Sequence, residues 1–372
     1  MQPPGVAPGM ETTAPTRGAG ARLPWPDVAK GLCILLVVLH HVTKYYAAHL
    51  PPDLVAAGTV WAAVSAGLKP VRMPLFFLIS GWFAARAIHR PWGEHRRRLV
   101  GGFYLYAVWL LLYWPVYAVE RTIDANRTDG PLDLLGELVW AATSMWFLYA
   151  LVLYFVLARA LRQLPPAVVL AAAASLSLCA SWLPFEETNR VSVLFHFTYF
   201  ALGAYLPRLV DRLAASPVPV RVLLPAFVLL SGVLQVLGVP RSVELVVLSL
   251  VGIPLGVRVA VRLGSGPVAS LLGWLGRRTL RVYVLHMAVL AVVVHLPVPA
   301  FPAPALVVLP FAVTGAIVLA CLVLHATLVR LGAGWLFEAP AWVVGRRAVP
   351  AMSVGSATAL QAVRVDPLRR LW

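Results

Sequence analysis

The chain has 372 residues, of which 60% are apolar and 12% are charged, and its formal net charge is +16 at pH 7. Soluble domains carry about 25% charged residues, so this composition excludes a protein that folds mainly in water. Apolar runs of roughly 20 residues, long enough to span a bilayer, recur along the chain. We therefore predict an all-α integral membrane protein that works within the membrane.

Composition also divides the chain into three parts. Residues 1–22 are rich in Pro, Gly, Ala and Thr, which predicts a disordered cytoplasmic tail rather than a secretory signal. Residues 23–335 form the predicted membrane domain, and residues 336–372 form a basic cytoplasmic tail. The three cysteines, Cys33, Cys179 and Cys321, lie inside apolar runs. Their spacing fits neither a disulfide framework nor a metal site. We expect no metal and no bound cofactor.

Turn signals and charges predict ten transmembrane helices. They lie near residues 30–48, 59–87, 98–119, 138–160, 165–183, 191–206, 221–239, 243–261, 278–296 and 305–330. The second is interrupted by LKPVRMP, and the fourth begins as an interfacial helix over 131–143. An even number of helices places both termini on the same side of the membrane.

The basic residues orient these helices. One set of alternate loops holds most of the 31 basic residues, whereas the opposite set holds more acidic than basic side chains. The positive-inside rule therefore predicts that both termini are cytoplasmic. Topology and contact with the lipid bilayer account for the positive charge. The basic residues are spread over separate loops, so we expect no nucleic-acid partner.

The first helix, VAKGLCILLVVLHHVTKYY, carries ionisable residues inside an apolar run. Lys30 and His41 are eleven residues apart, so they share one helix face about 16 Å apart along the axis. Asp27 lies on nearly the same face and can pair with Lys30. His40 points about 100° away from His41.

Ionisable residues inside a membrane indicate a functional site by default. The alternative for His41 is a buried histidine that donates to a neighbouring helix, with Lys30 reaching lipid phosphate. The combination of Asp27, Lys30 and His41 favours a functional site, because a neutral imidazole is a general base. We assign His40 to packing.

The second helix contains MPLFFLISGW, residues 73–82. Pro74 is predicted to break the helical hydrogen bonds, while Ser80 and Gly81 form a small surface for close packing. Arg72 lies beside the predicted break on the outer half, where it can face an aqueous cavity. The alternative is a kinked helix with a tight neighbour.

Three later stretches carry further candidates. The cluster Arg96, Arg97 and Arg98 is either a phosphate-binding site or an ordinary cytoplasmic loop. Trp146 begins an aromatic group that is typical of a membrane interface. In GRRTLRVYVLHM, His286 lies eight residues, about 12 Å, beyond Arg278 and is a second midplane histidine. We place His196 nearer the outside, and assign His295 and His325 to packing.

In order, these stretches resemble the membrane acyltransferase-3 family, particularly members similar to sugar O-acetyltransferases. WPDVAKGLCILLVVLHHV resembles the first-helix pattern, with Lys30 and His41 at its basic and histidine positions. MPLFFLISGW, MWFLYALVLY, YFALGAYL and LRVYVLH resemble later family segments, so the resemblance covers about residues 24–330. Two positions differ from the family. Val71-Arg72 stands where the family often has Phe-His. The family also has two arginines separated by two residues after the second helix, and the HRRR cluster does not match that spacing cleanly.

The resemblance implies transfer of an acyl group, usually acetyl, from cytoplasmic acyl-CoA to a hydroxyl of a glycan, lipid-linked sugar or secreted metabolite. His41 is implied as general base or acyl carrier, with His286 as a second member of the site. We place Arg72 and Trp146 on the acceptor side. The donor-side candidates are Asp27, Lys30, Arg96, Arg97, Arg98 and Arg278. The expected location is the cytoplasmic membrane of a bacterium.

Two other classes of function stay open from the residues alone. A secondary transporter can use His41 and Asp27 as a proton relay, although the halves of the chain show no internal repeat. A structural export partner with an inactive site is the third hypothesis. The sequence leaves the acceptor and the oligomeric state open.

Overall fold

A computed structural model of the protein describes residues 24–46, 55–123, 128, 130–141, 143–183, 188–296 and 303–345. Within these ranges the fold is all-helical, with no strand. Its fifteen α-helices are α1 (Trp25–His41), α2 (Val55–Gly67), α3 (Lys69–Ala84), α4 (Arg96–Val119), α5 (Pro131–Trp140), α6 (Trp146–Ala160), α7 (Pro166–Leu178), α8 (Thr188–Tyr205), α9 (Pro207–Ala215), α10 (Val220–Val236), α11 (Arg241–Leu263), α12 (Pro267–Gly276), α13 (Thr279–Val293), α14 (Ala303–Arg330) and α15 (Ala341–Val344). A π-helical turn, Val42–Tyr46, continues α1.

Six helical segments of the described chain are long and apolar enough to cross a membrane. They are Trp25–Lys44, Gly58–Ala84, Trp92–Val119, Trp146–Gln163, Arg241–Leu263 and Val308–Arg330. Asn189–Tyr205 and Pro207–Ala215, bent by 85°, make a seventh if they are counted as one span. The protein is therefore a multi-pass membrane protein.

Each of the ten predicted segments overlaps a helix, but not every such helix has the length of a full span. The shorter apolar helices include α7, α10 and α13, and a span needs about 20 residues. The count of ten spans and the cytoplasmic position of both termini therefore stay predictions. The predicted tail 1–22 lies outside the described residues, as does most of 336–372.

The helix does not end at Pro74, because α3 continues through this residue. The chain turns instead at Leu68, within the LKPVRMP stretch. Pro74 cannot donate to the carbonyl of Pro70 four residues earlier. The Ser249 hydroxyl of α11 lies 3.1 Å from that carbonyl oxygen and 2.7 Å from the carbonyl oxygen of Leu245, so the two carbonyls share its single hydrogen.

Glycines bring two pairs of helices into backbone contact. On α1, Gly31 lies against the carbonyl of Leu272 in α12, and Gly276 of α12 lies against the carbonyl of Asp27. Gly81 of α3 packs in the same way on Phe200 of α8. Small residues allow such close approach between membrane helices, so α1 packs directly on α12 and α3 packs directly on α8.

We expect Gly81→Ala to lower the thermal stability, because an added Cβ would overlap the backbone carbonyl oxygen of Phe200. Overpacking of this kind costs about 1–3 kcal/mol. Gly232→Ala in α10 is the matched control, since a Cβ there meets no atom of the described chain within 4 Å. The measurement is the unfolding temperature of both variants in nanodiscs. Equal unfolding temperatures for the two variants would show that α3 and α8 are not held this tightly.

The described part of the predicted C-terminal tail packs on the helices. Trp109 of α4 donates its indole N–H to the carbonyl of Leu336 at 2.7 Å. The Phe337 ring lies 4.4 Å from the ring of His325, measured between centroids. Leu336 and Phe337 are therefore part of the folded helical domain.

Candidate active site

A cavity of about 270 Å³ lies among α1, α3, α6, α8 and α13. Its polar lining residues come from all five helices and from the turn before α6: His40, His41, Lys44, Lys69, Arg72, Ser144, Trp146, Asn189, Ser192, His196, Thr279, Tyr283 and His286. This lining contains no Asp or Glu from the described residues. From Ile34 to Lys44, the cavity follows α1 for about 15 Å.

Two histidines from opposite ends of the chain meet in this cavity. The ring centroids of His41 on α1 and His286 on α13 are 5.1 Å apart. Both helices start at the same end of the bundle, because Gly276, just before α13, lies against Asp27 near the start of α1. The two imidazoles therefore lie on helices that run in the same direction from that end.

The orientation of His286 fixes its neutral tautomer. Its Nδ1 lies 2.6 Å from the carbonyl oxygen of Tyr283. A carbonyl only accepts, so Nδ1 carries the hydrogen and Nε2 keeps its lone pair. Nε2 is buried and makes no hydrogen bond with any described residue. His286, which lines the cavity, therefore has a lone pair on Nε2 that no described residue uses.

Tyr113 of α4 contacts the α13 backbone on both sides of His286. Its hydroxyl donates to the carbonyl of Val284 at 2.8 Å and accepts from the N–H of Ala288 at 3.1 Å. Another hydroxyl, that of Tyr283, donates to the carbonyl of Ser144 at 2.9 Å. These contacts fix α13 relative to the rest of the cavity wall.

Arg72 of α3 is buried and lines the cavity. Its Nη1 donates to the carbonyl of Ser65 at 2.6 Å. The Ser65 hydroxyl in turn lies 3.0 Å from Nδ1 of His40. Although we assigned His40 to packing, the structure places it in the cavity wall, with its ring 5.2 Å from that of His41.

The structure distributes the other predicted residues between two places. Trp146 lines the cavity, with its ring 5.6 Å from His196. Asp27 lies 3.8 Å from Arg277, and the Lys30 ammonium lies 5.9 Å from the ring centroid of Phe76. Lys30 and Asp27 are both buried near the start of α1 and lie outside the cavity lining.

The four arginines proposed for the donor side also lie outside the cavity lining: Arg96, Arg97, Arg98 and Arg278. Arg98 packs on the Phe155 ring at 4.9 Å, and Arg278 packs on Trp274 at 4.1 Å. They stand at or beside the starts of α4 and α13. They therefore lie away from the histidine pair, and their role in donor binding stays a prediction.

The sequence did not single out Lys69 as a site residue, and it placed His196 nearer the outside. The structure shows both in the cavity lining. His196 is buried, and its Nδ1 lies 2.7 Å from the carbonyl of Ser192. The sequence did contain a feature that pointed to His196 as a site residue: it lies just before YFALGAYL, one of the stretches that resemble the family.

Comparison with known proteins gives the family. The family described as "Acyltransferase domain" matches residues 23–325. The inner membrane protein YcfT of Escherichia coli (strain K12) is 28% identical over 285 residues, which cover 70% of this chain and 78% of YcfT. The nodulation protein NolL of Mesorhizobium japonicum is 28% identical over 185 residues, 48% of this chain and 46% of NolL. No solved structure matches. The chain therefore belongs to the acyltransferase-3 family and is a multi-pass membrane O-acyltransferase.

Proposed function

We propose that this protein moves an acetyl group from cytoplasmic acyl-CoA to a hydroxyl of a glycan, a lipid-linked sugar or a secreted metabolite. The observation that carries the proposal is the pair of His41 and His286 in one cavity, with ring centroids 5.1 Å apart. The proposed location is the bacterial cytoplasmic membrane. The name of the relative YcfT, an inner membrane protein, supports that location.

The donor enters, in this proposal, at the end where α1 and α13 begin. Acyl-CoA is a polyanion, and this end carries Lys30 together with Arg277 and Arg278. Arg96, Arg97 and Arg98 add positive charge at the start of α4. The cavity continues from Thr279 toward His286, which leaves a path for the thin pantetheine arm to reach the two imidazoles.

The acyl transfer needs a base for the acceptor hydroxyl. In direct transfer, an imidazole removes the proton of the acceptor hydroxyl while the oxygen attacks the thioester carbonyl. The C–S bond breaks, and the CoA thiolate leaves and takes up the proton. In the two-step route, a ring nitrogen of His41 attacks the thioester carbonyl, the C–S bond breaks, and CoA leaves as the thiol with the imidazole proton. The acceptor hydroxyl then attacks the acyl group, the C–N bond breaks, and the ring takes up the hydroxyl proton. Arg72, which lines the cavity, is assigned to the acceptor side in both routes.

The test of this function is CoA release from acetyl-CoA by the purified protein in nanodiscs, with a mixed glycan extract as acceptor. We expect release that depends on the acceptor, and thermal stabilisation by CoA alone. Absence of both effects would contradict the proposal. Stabilisation or transport that follows a proton gradient would then favour the transporter hypothesis.

We expect Tyr113→Phe to lower kcat by about tenfold to a hundredfold, because the hydroxyl positions the α13 backbone on both sides of His286. The KM for acetyl-CoA is expected to stay unchanged, since Tyr113 lies outside the cavity lining. Tyr104→Phe on the same helix is the control, because Tyr104 makes no hydrogen bond with any described residue. An unchanged kcat together with a lower unfolding temperature would mean that Tyr113 only stabilises the fold.

A further inference from the structure

One end of the cavity is lined by basic residues, and the cavity lining contains no Asp or Glu among the residues that the structure describes. Lys44 lies one turn beyond His41 on the continuation of α1, and Lys69 and Arg72 lie at the start of α3. A fourth basic residue near them, Arg241, is paired with Glu244 at 2.6 Å. We call the group of Lys44, Lys69 and Arg72 the basic end of the cavity.

Lys69 and Arg72 have no acidic partner among the described residues. Lys69 makes no hydrogen bond and no ion pair with any described residue. Arg72 is 3% exposed, donates to the neutral carbonyl of Ser65 and has no carboxylate partner in the described chain. Buried charges in proteins are normally paired. Arg72 is buried and Lys69 is half-buried, and neither pairs with an acid of the described chain, so we infer that an anionic group of a ligand binds here.

The spacing of these cations suits one anionic group. Lys69 and Arg72 are three residues apart on α3, so they lie on neighbouring positions of one helix face, about 5–6 Å apart at Cβ. A guanidinium binds a carboxylate or a phosphate through its forked donors, and an ammonium adds a point charge. The hydrogen bond from Arg72 to Ser65 holds the guanidinium in place.

The donor and the acceptor could both supply such an anion, and the geometry favours the acceptor. The phosphates of acyl-CoA have their own basic residues where α1 and α13 begin, at the opposite end of the cavity. We propose that the acceptor is anionic and that its carboxylate or phosphate binds between Lys69 and Arg72. This inference rests on the proposed acyl transfer, because it names the class of acceptor for that reaction.

The first experiment compares three sugars of similar size as ligands and acceptors: glucose, glucuronate and glucose 1-phosphate. Binding is measured by equilibrium dialysis with the full chain in nanodiscs, and acyl transfer by incorporation of labelled acetyl. We expect at least one anionic sugar to bind at least tenfold more tightly than glucose. The two anionic sugars separate an acidic sugar from a phosphorylated one. Equal binding of glucose, or no binding of either anionic sugar, would overturn the proposal.

Variants then locate the anion. Lys69→Gln should weaken binding of the preferred anionic sugar at least about tenfold, as expected for loss of one hydrogen bond to a charged group. Lys69→Arg should restore it, and the exposed Arg121→Gln, outside the cavity lining, should leave it unchanged. Unfolding temperatures establish that each variant is folded. Unchanged sugar affinity in Lys69→Gln would overturn the proposal.

Affinity for CoA separates this inference from the function on which it rests. We expect Lys69→Gln to keep the wild-type affinity for CoA. A selective loss of CoA affinity would assign the basic end to the donor and overturn the inference. If the protein binds anionic sugars but neither binds CoA nor releases it from acetyl-CoA, the proposed function fails while the anion site stands.

Discussion

Replacement of His41 by alanine is expected to lower acceptor-dependent CoA release by about 10²–10⁴-fold, the usual contribution of a positioned acid or base. His41 is the member of the pair on α1, between His40 and His286. Its removal takes away the proposed base, or the acyl carrier in the two-step route. The measurement is CoA release by wild type and His41→Ala in nanodiscs, at equal protein and lipid concentrations.

The matched control for this variant is His325→Ala. His325 lies on α14, where its ring packs on Phe337 and is outside the cavity lining. This control removes an imidazole outside the cavity, so it measures how much activity the protein loses when a histidine that does not line the cavity is replaced. Wild-type activity in a folded His41→Ala variant would show that His41 is neither base nor carrier.

A comparison of wild type with His41→Ala also distinguishes direct transfer from a route with a covalent intermediate. If His41 carries the acyl group, labelled acetyl-CoA should label wild type without acceptor and release a burst of CoA. His41→Ala should show neither effect. If transfer is direct, wild type should stay unlabelled until an acceptor is added.

His286→Asn is expected to lower kcat by a similar factor of about 10²–10⁴ while the KM for acetyl-CoA changes little. Nδ1 of His286 donates to Tyr283, so its buried Nε2 holds the lone pair that asparagine lacks. Asparagine keeps a side-chain N–H donor for the Tyr283 carbonyl, so it tests the basic nitrogen and not the hydrogen bond. CoA release over a range of acetyl-CoA concentrations gives both constants.

A double variant decides whether the two histidines act as one unit. Residues that act together in catalysis give effects far from additive. We therefore expect His41→Ala combined with His286→Asn to be little slower than the slower single variant. Full activity of a folded His286→Asn would instead limit His286 to a packing role.

The helical content of this fold could be predicted from the sequence because it depends on local patterns. Apolar runs require helices in a membrane, since only helices and closed barrels satisfy every backbone group there. Each of the ten predicted segments overlaps a helix. At Pro74 the tertiary structure adds what the local sequence lacks, because the Ser249 hydroxyl of α11 lies 3.1 Å from the carbonyl oxygen of Pro70.

The position of His41 on α1 also followed from the sequence, because helix periodicity fixes which residues share a face with Lys30. Periodicity gives no information about which helix faces that surface. Only the tertiary structure decided that His286, from the other end of the chain, lies beside His41 and that Lys69 and His196 line the same cavity. The reason is physical: the sequence determines each helix through local backbone hydrogen bonding and hydrophobicity, whereas close packing at Gly31, Gly81 and Gly276 determines which helices meet.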